Sequence, residues 1–182
     1  MPRRNPGDLI PTTTLQTLRG DPIGLPAASA RLTHLQFRRF AGCPICNLHL
    51  RSVATRHDEL VAAGMVEIAV FHSNAETMRP FQGDLPFAVI ADPEKKLYRS
   101  FGVEEGLKSV ADPRAWGGLL RGMVASNPSG PMTGEGGHLG LPADFLIDPA
   151  GRIVACKYGV HADDQWSVDE LLDLARTHAA PS

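Results

Sequence analysis

Cys43-Pro44-Ile45-Cys46 constrains this chain more than any other stretch of it. The chain has three cysteines, too few for a paired disulfide framework, and two of them are spaced C-x-x-C. In a reducing compartment that spacing marks redox chemistry or half of a zinc site. The flanking residues sharpen the reading. Leu32 to Phe40 (LTHLQFRRF) reads as a strand that ends near Ala41-Gly42. Pro44 suits the first turn of a helix, where a missing N–H does no harm. Cys46, Leu50, Val53, His57 and Leu60 then form one helical stripe, carrying the helix to about Ala63, where Gly64 closes it. The pair therefore stands where a strand becomes a helix, and free N–H groups at the positive helix end favour a thiolate there. Cys43, at the cap, is expected near solvent. Cys46, one turn deeper on the apolar stripe, is expected to be shielded. Residues so spaced on a helix come within disulfide reach. The outcome is a fast-reacting Cys43 and a resolving Cys46, the inequality that thiol–disulfide exchange needs.

Two other readings of the same residues stand beside this one. Free cysteines are often small buried hydrophobes. Zinc could take Cys43, Cys46 and His49, but a fourth ligand is required, and the sequence has no second C-x-x-C and no H-x-x-x-H. We expect neither metal nor cofactor.

The rest of the chain supplies a setting. At 182 residues it is read as one domain, 1–182, with 1–11 a flexible lead-in and 104–140 an insert. Thr12 to Leu18 and Ile23 to Leu25 form a hairpin about Arg19-Gly20-Asp21-Pro22. Met65 to Phe71 is a buried strand, Glu76 to Gln82 a short helix, and Phe87 to Ala91 another strand, after which Asp92-Pro93 opens a helix. Pro113 to Val124 reads as a helix and Ser126 to Gly140 as a long loop. Leu141 to Asp148 and Arg152 to Tyr158 are strands joined by a tight turn, and Ser167-Val168-Asp169-Glu170 is a capping box for a last helix to about Ala180. The order predicts an α/β fold with a central mixed β-sheet and helices on both faces. A net charge of −2 argues against nucleic acid as a partner. No apolar run approaches the ~18 residues of a membrane helix, and the first residues lack the apolar core of a secretory signal. The expected location is cytoplasmic.

Several blocks together resemble the thioredoxin superfamily, and within it the peroxiredoxin-like alkyl hydroperoxide reductase / thiol-specific antioxidant (AhpC/TSA) branch. Pro6-Gly7-Asp8 with the hairpin resembles that branch's N-terminal extension. Phe37 to Cys46 resembles its strand and active-site turn. Phe87-Ala88-Val89-Ile90-Ala91-Asp92-Pro93, with Phe101-Gly102-Val103, is similar to a third block, and Leu141 to Gly151 to a fourth. The resemblance implies a thioredoxin-like fold with an N-terminal β-hairpin extension. It also implies a substrate-binding role for Leu141 and Pro142, with a cis Leu141–Pro142 bond facing the cysteines. A homodimer is a further expectation from the family.

The chain departs from the peroxidase pattern of that branch, Pro-x-x-x-Thr-x-x-Cys. With Cys46 on the reactive position, Cys43 falls on the Thr and Arg39 on the Pro, and no Arg lies between His138 and Asp148. Cys-Pro-x-Cys is also similar to glutaredoxins. These departures favour a thiol–disulfide oxidoreductase reset by a cellular dithiol reductant. The alternatives are a peroxidase acting on hydrogen or organic peroxides and a non-catalytic redox-sensing module. Arg39 and His72 are auxiliary candidates. His49 and His57 are read as packing or surface residues, and Cys156 as a structural thiol.

Overall fold

The computed structural model describes residues 2–103, 141–161 and 163–178. The expected insert 104–140, with its helix and loop, lies outside the described residues. The described elements follow the expected order. They are β1 (Thr13–Gln16), β2 (Pro22–Leu25), β3 (Leu32–Phe37), α1 (Pro44–Thr55), α2 (His57–Ala62), β4 (Met65–Phe71), α3 (Ala75–Gln82), β5 (Ala88–Ala91), α4 (Lys96–Ser100), β6 (Ala143–Ile147), β7 (Ile153–Tyr158) and α5 (Val168–Thr177). β1 and β2 make a separate antiparallel hairpin, and the main sheet runs β5-β4-β3-β6-β7. β3, β4 and β5 are parallel, whereas β6 pairs antiparallel with both β3 and β7. The sheet is mixed, as expected.

Alternation along the strands feeds two cores. Ala69, Phe71 and Leu146 face Leu50 and Val53 of α1, Leu60 of α2, Met78 of α3 and Leu171 of α5. Leu35, Phe37, Ile68, Val70 and Phe145 face Tyr98 of α4, Phe101 and Leu25 of the hairpin. Helices thus cover both faces, unequally.

Local chemistry sets several boundaries. The long helix expected after Cys43 is two, because Arg56 (φ −110°, ψ 21°) leaves the helical region between α1 and α2. Its guanidinium binds Glu59 and Asp169 at 2.7 Å, tying the break to α5. Gly64 follows α2 at φ +78°, a left-handed conformation that favours glycine, and a Cβ there would meet the Arg31 side chain at 3.0 Å. Asp92 caps α4 from a distance, accepting the N–H groups of Lys96 (2.9 Å) and Leu97 (2.8 Å). Ser167 and Glu170 form the expected capping box on α5. Residues 7–10, read as part of a flexible lead-in, are instead fastened to the β6–β7 turn and the start of β7. Gly7 N–H donates to Ile153 C=O at 2.8 Å, Ile153 N–H to Asp8 C=O at 2.9 Å, and Ile10 N–H to Gly151 C=O at 2.8 Å. Strand-type backbone bonds hold this segment whatever its side chains. Among the described residues no helix is long and apolar enough to cross a membrane.

The centre of the sheet is charged. On β3, His34 and Gln36, with Arg38 just beyond, point to the α1 side, and all three have no exposure. His34 Nδ1 meets Glu67 of β4 at 2.6 Å, and its Nε2 meets Asp144 of β6 at 3.1 Å. Arg38 binds Asp144 at 2.7 Å and Gln36 at 2.8 Å. Burial works against a charged His34 ring, yet Glu67 and Asp144 together lift it from 6.5 to about 9. Asp144 is itself buried, but Arg38 and His34 hold it well below the usual carboxylate range. His34 gains affinity for its proton on folding. Its contribution to stability is therefore full below about pH 6.5 and is lost as pH rises through about 9. Cys43, lowered to about 7, adds stability over the same range in both proteins, so His34 is read from the difference between them. In urea unfolding the stability of the wild type relative to His34→Gln will fall by up to roughly 3 kcal/mol as pH rises from 6.5 to about 9. Equal slopes for the two proteins would dismiss His34 as the source.

Candidate active site

β3 delivers the chain through Arg38 and Arg39 into a tight turn in which Cys43 N–H donates to Phe40 C=O at 3.1 Å. Cys43 is the N-cap of α1 (φ −68°, ψ 113°), and Pro44 opens the helix. The Cys43 sulfur accepts the backbone N–H of Cys46 at 3.5 Å. The Cys46 thiol donates to the same sulfur at 2.9 Å, and both cysteines are free. Arg39 Nη1 stands 3.8 Å from Cys43 Sγ, and its guanidinium lies over the Phe40 ring at 5.4 Å.

The two thiols are unequal, as their spacing predicts, but exposure is not the cause. Cys43 and Cys46 are each 1 % exposed. The expectation of a solvent-facing Cys43 is corrected: the turn draws it into the apolar cluster with Phe40, Ala41 and Ile45. The inequality is electrostatic. The Cys46 thiol bond lowers Cys43 most, and against the opposing effect of burial, Arg39 and the N–H groups of Cys46 and Ile45 help bring it from 9.0 to about 7. Burial, and then the Cys43 sulfur, push Cys46 well above 9.0.

Of the other predicted residues, Arg39 joins the pair. His72, at the end of β4, is buried, with its ring edge-on to Tyr98 at 5.7 Å. Leu141 and Pro142 stand at the head of β6, where the Pro142 carbonyl accepts Gly159 N–H at 2.9 Å. The cis bond expected at Leu141–Pro142 is not found. Among the described residues the cis peptide bond is Leu25–Pro26. Pro142 instead leads straight into the β6–β7 ladder, its carbonyl extending that pairing by one bond. The zinc reading loses its third ligand, since His49 Nε2 lies 3.0 Å from Arg38 Nη2, and burial and that guanidinium hold His49 well below 6.5. Cys156 is partly buried, its thiol 3.6 Å from the Arg4 carbonyl, and burial, then Asp8, raise it above 9.0.

Sequence reasoning missed the site's supports. Tyr98 of α4 donates its hydroxyl to the Arg38 carbonyl and lies 2.9 Å from that of Val70, linking the ends of β3 and β4. Ser73 and Gln82 reach the turn before Cys43 from opposite sides. No local pattern marks these residues. Only for Arg38 was there a signal, its shared strand parity with His34 and Gln36.

The AhpC/TSA family pattern matches residues 6–156. The chain belongs to the AhpC/TSA family. That membership places it among thiol-dependent oxidoreductases. No curated protein matches it. Solved structures of similar fold include peroxidoxin BcpB from Mycobacterium tuberculosis, with 15% identity, a TM-score of 0.66, and 97% of this chain and 96% of that one covered. A peroxiredoxin-like protein from Aquifex aeolicus has 14% identity and a TM-score of 0.64, covering 98% and 90%. A putative thiol:disulfide interchange protein DsbE from Chlorobium tepidum has 19% identity and a TM-score of 0.60, covering 94% and 97%. For this AhpC/TSA protein, iodoacetamide will modify Cys43 before Cys46 and Cys156 in the reduced, folded state, with a rate midpoint near pH 7. Equal labelling of Cys43 and Cys46 would overturn the assignment.

Proposed function

We propose that the protein is a dithiol oxidoreductase in which Cys43 attacks and Cys46 resolves. The observation that supports it is the 2.9 Å contact between two thiols shifted in opposite directions. The Cys43 thiolate attacks one sulfur of a substrate disulfide and expels the other as a thiolate. Cys46 then gives up its proton, which the expelled thiolate can take, and attacks Cys43. A Cys43–Cys46 disulfide forms, the second substrate thiolate leaves, and two electrons have passed to the substrate. A cellular dithiol returns them. In this reading substrate lies against Leu141 and the Pro142 ring, since Gly159 N–H already takes the Pro142 carbonyl. Cytoplasmic thiol reductants would suit the cycle, and a homodimer remains the family expectation.

Burial of Cys43 beside Arg39 favours a second reading, with a small peroxide as the oxidant. There the thiolate takes one peroxide oxygen, forming a sulfenic acid and releasing an alcohol or water. Cys46 condenses with the sulfenic acid, closing the same disulfide and releasing water.

One experiment separates the two. The reduced protein is treated with one equivalent of hydrogen peroxide, its three cysteines are mapped by mass, and insulin reduction with dithiothreitol is assayed in parallel. Insulin reduction lost in Cys43→Ser supports the first reading. Rapid peroxide consumption with a Cys43–Cys46 disulfide, and no insulin reduction, supports the second. Oxidation at Cys156 alone would reject both.

A further inference from the structure

We infer that Ser73 and Gln82 are positioning residues that set the reactivity of Cys43 by clamping the backbone of Ala41. This inference rests on the proposed role of Cys43 as the attacking thiol.

Ala41 lies two residues before Cys43, and side chains from two distant segments hold both of its backbone polar groups. Its N–H donates to Ser73 Oγ, just after β4, at 3.0 Å. Its carbonyl accepts Gln82 Nε2, at the end of α3, at 2.8 Å. The same Gln82 nitrogen also donates to Asn47 Oδ1 in α1, at 3.0 Å. One carboxamide therefore fastens the turn before the thiol to the helix after it. Ala41, Ser73 and Gln82 are 1 %, 1 % and 2 % exposed, so water does not compete for these bonds.

The clamp has a chemical reason to exist. Its own geometry is unfavourable in one respect, because the Gln82 carboxamide oxygen is buried with no partner among the described residues. Leaving such an atom unsatisfied is costly, so what the residue supplies is its two N–H bonds. Those bonds matter because the Cys43 thiolate depends on directed donors, the Cys46 N–H at 3.5 Å and Arg39 at 3.8 Å, with the Cys46 thiol at 2.9 Å. All of these weaken steeply with distance and angle. A turn free to rotate about Ala41 would carry the sulfur away from them. Among the described residues, Cys46 and then Arg39 are the side chains that lower Cys43 most.

The test uses the full-length reduced protein and reads the thiolate directly. Gln82→Met keeps the length and apolar fit but removes both donors. Ser73→Ala deletes a single oxygen, and Ser73→Thr restores an acceptor there. Thermal melts establish that each variant is folded. The Cys43 thiolate is titrated by ultraviolet absorbance in a Cys156→Ser background, and iodoacetamide rates are measured at pH 7. In Gln82→Met and Ser73→Ala the titration midpoint is expected to rise from about 7 towards 9. A rise of one unit slows labelling at pH 7 about fivefold through the smaller thiolate fraction. Ser73→Thr is expected to titrate as the wild type. Folded Gln82→Met or Ser73→Ala protein with an unchanged midpoint would overturn the inference. If Gln82→Met does not fold, Ser73→Ala alone decides it. No turnover is involved, so an inactive wild type would reject the proposed function and leave this result standing.

Discussion

His34, Arg38, Glu67 and Asp144 meet in the buried space under α1, and the strand that leads to the cysteines is built around them. Protonated His34 and Arg38 face Glu67 and Asp144, and none of the four is more than 1 % exposed. Buried ion pairs contribute little net stability, because desolvation offsets most of the attraction, but removing one partner leaves a stranded charge. Their effect here is on register. A slip of one residue in β3 would turn His34 and Arg38 to the opposite, aromatic core and leave Glu67 and Asp144 unmatched. The network therefore fixes where β3 ends, and that end is where the chain turns into Cys43.

Downstream of that anchor, two sulfurs with the same burial differ in acidity. Cys43 gains from its place at the start of the helix, where N–H groups lack helical partners and a guanidinium stands close. Cys46 sits inside the first turn and donates its proton to its neighbour. The asymmetry needs no difference in access to water. It comes from which sulfur accepts and which donates.

Much of this was legible in the sequence, and what was not has a physical cause. The order of strands and helices, the hairpin, the capping box at Ser167 and the stacking of Cys43 on Cys46 all follow from short-range spacing. The strand itself was legible, but the burial of its polar residues 34, 36 and 38 was not: β3 is the middle of a sheet covered on both sides, and such strands hide every residue. Their partners, Glu67 and Asp144, lie far along the chain and appear only with the register. The break at Arg56 answers to Asp169 on another helix, and the burial of Cys43 answers to how its turn packs. The cis Leu141–Pro142 bond expected from the resemblance is absent, because the spacing of a motif does not fix the backbone angles within it.

Residues 7–10 have a bearing on assembly. With Gly7, Asp8 and Ile10 bonded to Gly151 and Ile153, the opening stretch of the outermost strand already has a neighbour on its free side. A further chain seeking to extend the sheet there would first have to peel this segment away. Residues 7–10 thus act as a seam over the start of that margin, shielding it from foreign strands.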